Sequence, residues 1–226
     1  MMDTVVVRPP KQSLATFGTT RVTYNLVTRP LYQALDINQT GDESVVRRGT
    51  VKAEQPKIVT PYFLSRAEGF GGEAQEFLKE MMRRGQADDP GILYSYSNQL
   101  DDMQIVSDRP EQVADNISAR IERESQQLEA VIIGVDELWD ASLMKFIFEL
   151  TNRSAANNVS EFRQAGRLNM DNGVPADARM RIEEMFAEVR NGDLDPSQLH
   201  RELEAWRVFD EYEDRFFAVL RDRRFK

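Results

Sequence analysis

Apolar and polar residues alternate through Val22-Thr23-Tyr24-Asn25-Leu26, whereas from Pro61 onward apolar residues recur at every third or fourth position. A period of two places alternate side chains on opposite faces of a strand, and the longer period builds one face of a helix. A chain that changes period in this way folds as strands followed by helices. The expected class is α+β: an N-terminal antiparallel sheet of three or four strands packed with helices, followed by a predominantly α-helical C-terminal region. With 226 residues, 41% of them hydrophobic, the chain is long and apolar enough to bury a sizeable core.

Three stretches follow from this change of period: a β-rich part over 1–60, a mixed to helical part over 61–168, and a C-terminal helical hairpin over 169–226. In the first, residues 22–28 and 44–54 read as strands, Ile58 and Val59 follow Pro56, and 36–42 has turn composition. A short edge strand is expected over 4–7, because the Pro9–Pro10 pair forbids its continuation. In the second, 62–84 reads as a short helix, a glycine break and a longer helix. Residues 93–97 and 103–107 then read as a small hairpin turning at 98–102. Asp108 and Glu111 have capping-box spacing around Pro110. The apolar run 128–135 fits either a strand or a buried helix, and 136–150 is apolar almost all round, as a core helix would be. In the third, 176–190 is helical with Asn191–Gly192 as its C-cap, and Asp195–Pro196 restarts a helix. Leu199, Leu203, Trp206, Phe209, Tyr212, Phe216 and Leu220 then form one continuous apolar stripe of about six turns.

Composition removes whole classes of chemistry. With no Cys there is no disulfide framework, thiolate nucleophile or Cys-ligated metal, and with His200 alone no site can draw two imidazoles from one chain. The N-terminus shows no secretory signal and no apolar run reaches membrane-spanning length, so cytoplasmic residence without membrane contact is expected. The sequons at Asn38, Asn116, Asn152 and Asn158 are then coincidental. The net charge of −9 is uneven. Residues 1–60 carry eight basic and five acidic side chains, and 61–226 carry 21 basic and 33 acidic. An excess of three cations is too small to imply nucleic acid.

The strongest carboxylate cluster is Asp136, Glu137 and Asp140. On a helix Asp136 and Asp140 stack one turn apart, where a magnesium or manganese ion would find two ligands for hydrolytic chemistry. Acids in a first turn also complement the helix dipole with no ligand at all, which is the plainer account. Gly69-Phe70-Gly71-Gly72 lacks the residues of a phosphate loop and reads as a turn. Asp193, Asp195, Ser197 and Glu204 mimic a calcium loop, but Gln198 stands where glycine is required. His200 has no acid or nucleophile at catalytic spacing and reads as a solvated helix residue. Arg221, Arg223, Arg224 and Lys226 offset a helix dipole at the basic end of the chain.

The expected function is therefore that of a non-catalytic accessory or scaffold protein acting through protein contacts, with no cofactor. Trp206, Phe209, Tyr212 and Phe216 are the candidate surface for a protein partner or a second copy of the chain. The alternatives are a divalent-metal hydrolase using Asp136, Glu137 and Asp140, and a nucleic-acid factor using Arg47, Arg48 and Lys52 on the sheet.

Overall fold

A computed structural model describes residues 4–32, 42–67 and 71–223. The turn expected over 36–41, the sequon Asn38, Gly69–Phe70 and the terminal residues Arg224 to Lys226 lie outside the described residues. In chain order the elements are β1 (Val5–Arg8), β2 (Thr20–Arg29), β3 (Ser44–Ala53), β4 (Lys57–Val59), α1 (Pro61–Arg66), α2 (Gly72–Arg83), β5 (Gly91–Leu93), β6 (Tyr96–Val106), α3 (Pro110–Arg123), β7 (Glu129–Val135), α4 (Trp139–Gln164), β8 (Met170–Asp171), β9 (Val174–Pro175), α5 (Ala176–Asn191), α6 (Pro196–Ala205) and α7 (Phe209–Arg223). The fold is α+β with a helical C-terminal region. It divides into two compact units, one formed by Met1–Pro56 with Tyr94–Ser160, the other by Lys57–Leu93 with Glu161–Lys226.

The first unit is built on a five-stranded sheet in the order β1-β7-β2-β3-β6. All neighbours run antiparallel except β7 and β2, which are parallel. The apolar run left open between strand and helix is β7. Its Ala130 and Ile132 pack toward α4, with Leu143, Phe146 and Leu150, while Val131 packs toward α3, with Val113, Ala114 and Ile121. Covered on both faces, a strand has no polar side to show, which is why its sequence runs apolar without alternation. Residues 14–16 are strapped to α4 by buried polar groups. Asn158 donates to the Leu14 carbonyl (3.0 Å) and to Thr16 Oγ1 (2.6 Å), and accepts from the Tyr94 hydroxyl (2.8 Å).

Two expectations fail in this unit. The hairpin over 93–107 is instead one strand of 11 residues, β6, because β3 offers a ten-residue template along its whole length. The Asp108–Glu111 capping box is absent. Arg109 occupies the N-cap, and the Asp108 carboxylate accepts the Arg109 N–H (2.8 Å). Pro110 does open α3 as expected.

The second unit gathers Val174, Ala178, Ile182, Phe186 and Val189 around Leu199, Leu203, Trp206 and Phe216. Asp177, buried in the first turn of α5, accepts the Ile58 N–H (3.2 Å) and an Arg167 N–H (3.3 Å), which ties β4 to the helices. The expected six-turn helix breaks at Arg207, whose φ of +58° is left-handed. Arg207 N–H donates to the Glu204 carbonyl and Val208 N–H to the Leu203 carbonyl, the paired bonds of a Schellman C-cap. Glycine usually fills that position, so an arginine there leaves no sign of a helix end. Ser125 (φ +55°) closes α3 in the same manner. Ser125→Gly therefore relieves left-handed strain at an exposed site and should raise stability by roughly 0.5–1 kcal/mol in urea denaturation. A loss of stability would show that Ser125 is not strained.

Candidate functional site

The carboxylate cluster is dispersed by local geometry. Asp136 lies in a 3-10 turn, Asp136–Leu138, ahead of α4 and not on it. Its Oδ1 accepts from Thr28 Oγ1 (2.7 Å) and Arg47 Nη1 (2.7 Å), and the ion pair is largely screened from solvent. Glu137 and Asp140 are exposed, and Asp140 accepts the Ala141 N–H. Among the described residues no three His, Asp or Glu side chains gather to hold a metal ion. Burial raises the Asp136 pKa, but the bonds from Thr28 and Arg47 and the Arg47 charge together outweigh it and hold the group below its ordinary value. A folded-state pKa below the unfolded one means stability that is present above the unfolded value and lost as pH falls through the folded value. Asp136→Asn should therefore cost about 2 kcal/mol at pH 7 and less at pH 3, read from urea midpoints at both pH values. Equal costs at the two pH values would show that the Asp136 charge does not carry the interaction.

The sheet cations are divided as well. Arg47 pairs in register with Leu26 and Met103 and lies on the α4 face, 5.8 Å from the centre of the Trp139 ring. Arg48 and Lys52 have the opposite parity along β3, and Lys52 is ion-paired to Glu54 at 2.6 Å. The three therefore do not form one basic surface.

In the second unit Trp206 stacks on Phe63 with ring centres 4.4 Å apart, and Phe216 is also buried. Phe209 and Tyr212 are half-buried against the same core. His200 is half-buried, 4.8 Å from the Phe209 ring and 5.6 Å from Phe216, and so is not the solvated residue its spacing implied. A groove of about 850 Å³ runs along α1, α5 and α6. Two of its lining residues are paired: Arg181 Nη2 donates to Glu202 Oε1 (2.6 Å), which also accepts from Trp206 Nε1 (3.0 Å).

The surface that lacks cover is the outer edge of the sheet in the first unit. Among the described residues no strand lies beyond β6, and residues 97–105 are exposed without interruption. Register explains its chemistry. Arg48 pairs with Asp102 and Gly49 with Leu100, so Asp101 is the extra residue of a β-bulge. The bulge brings Leu100, which pairs with Gly49, onto the same face as Met103 and Ile105, which pair with Arg47 and Val45. Without that insertion Leu100 would point to the opposite face. The result is three apolar side chains in a row, 45%, 60% and 62% exposed.

Close packing accompanies the bulge. A Cβ added at Gly49 would lie 2.5 Å from both the Gln99 carbonyl oxygen and the Tyr24 hydroxyl, so only glycine lets Tyr24 lie across β3 there. On α4, Met144 and Phe148 are 66% and 65% exposed and Leu138 precedes them at 54%, so 136–150 is a core helix on one face only. The residues read as two short strands, 93–97 and 103–107, cover the two ends of β6, and the turn composition of 98–102 hides the continuous strand between them.

Among the described residues no helix is long and apolar enough to cross a membrane. The chain matches no known family model, no curated protein and no solved structure.

Proposed function

We propose that the protein is a non-catalytic, cytoplasmic accessory or scaffold protein that works by receiving an extended segment of another protein along β6. One observation carries this reading: an 11-residue strand, at the edge of the sheet with no further strand beside it among the described residues, presents Leu100, Met103 and Ile105 in a row to solvent. Such an edge is a template for strand addition, in which main-chain hydrogen bonds supply affinity and alternate side chains supply specificity. The opposite edge contrasts with it, since β1 has four residues and is followed by Pro9–Pro10. The groups with catalytic potential have structural partners: Asp136 holds Arg47 and Thr28, and His200 packs on aromatic rings. Cytoplasmic residence accords with Asn158, whose sequon amide is fully buried and bonded where a glycan would have to attach.

The test is a photo-crosslinking amino acid placed at Met103 on β6 and, as control, at the exposed Asp115 on α3 in cells. One predominant protein adduct from position 103 and none from 115 is expected. No adduct at 103, or the same adducts at both, would contradict the reading.

A further inference from the structure

From the charge carried by the open edge we infer that the segment docking on β6 is a basic, extended stretch of a different protein, with apolar residues alternating with Lys or Arg. This rests on the reading of β6 as a docking edge and adds the chemistry of the partner. β6 contains two acids, Asp101 and Asp102, and neither a Lys nor an Arg. Asp101 accepts a bond from Thr50 Oγ1 (3.0 Å), while Asp102 has no ion pair within 4.0 Å among the described residues, although Arg48 stands opposite it one strand inward. A strand added outside β6 would bring its side chains about 5 Å from these carboxylates, close enough for opposite charges to attract and like charges to repel.

The same two acids weigh against a second copy of this chain. An antiparallel pairing of β6 with itself, centred near 101–102, sets carboxylate against carboxylate, and each copy carries a net charge of −9. Edge strands are commonly guarded by lysine, proline or a β-bulge; β6 has no lysine or proline, and its bulge carries an acid, Asp101. Its guard is acidic. That excludes acidic edges, including its own, and admits basic ones. On the other face of the added strand, apolar side chains would cover Leu100, Met103 and Ile105, which calls for alternation in the partner.

The experiment uses the full chain and three labelled ten-residue probes of alternating sequence, Val–Lys, Val–Ser and Val–Glu, followed by fluorescence anisotropy at low and at 0.5 M salt. The expected order is Val–Lys tightest, roughly tenfold over Val–Ser at low salt, with Val–Glu weakest and the advantage shrinking at high salt. Asp101→Asn with Asp102→Asn should erase the preference for Val–Lys while leaving Val–Ser binding in place. Met103→Lys with Ile105→Lys should abolish binding of all three, with the fold checked by circular dichroism. Val–Ser and Val–Lys binding equally at β6 would overturn the basic partner and leave the docking edge standing. Failure of every probe would overturn the docking edge itself. Concentration-dependent dimerisation lost in Met103→Lys would replace the basic partner with a second copy.

Discussion

Phe146→Ala is expected to destabilise the protein by roughly 3–5 kcal/mol, and Phe148→Ala, two residues away on the same helix, by less than about 1 kcal/mol. Phe146 is 1% exposed, set between α4 and the sheet against the cluster of Tyr24, Leu26 and Ile132, so its removal loses buried area and leaves a cavity that neighbours on a rigid sheet cannot fill. Phe148 points away from that core and is 65% exposed. Urea denaturation of the two variants compares both costs on one helix. Similar values for the pair would mean that α4 is rotated relative to the sheet.

Trp206→Ala is expected to cost a similar 3–5 kcal/mol, independent of protein concentration. Trp206 is 3% exposed, stacked on Phe63 and bonded through Nε1 to Glu202, and it sits where α6 ends and the chain turns into α7. The effect arises within one chain, because the stripe from Leu199 to Phe216 closes the core of the second unit. Thermal melts over a hundredfold range of concentration check this. A small cost, or a melting temperature that rises with concentration, would show that the aromatic stripe is shared with another chain.

Where local pattern and tertiary burial agree, the fold was legible from residues alone. The strand over 22–28, the stop at Pro9–Pro10, Pro110 at the start of α3 and the Asn191–Gly192 helix end are all present. The failures have physical causes. β6 is polar because both of its faces meet solvent over most of its length, so it carries little of the hydrophobic signal by which strands are found, and its pairing is imposed by β3. The helix end at Arg207 carries no glycine. The apolar girth of 136–150 overstated its burial, because composition does not distinguish a side chain that enters a core from one that waits on a surface. That same excess of apolar residues leaves Met144 and Phe148 exposed on α4.

Amide hydrogen exchange along Tyr96–Val106 in the free protein reads directly whether β6 is an edge open to a further strand. An open edge predicts protection of the amides bonded to β3 only, alternating on each side of the Asp101 bulge and out of step across it, with the outward amides exchanging freely and the pattern unchanged over a hundredfold range of protein concentration. Continuous protection through all of β6, or protection that grows with concentration, would contradict the account, because the edge would then already be paired.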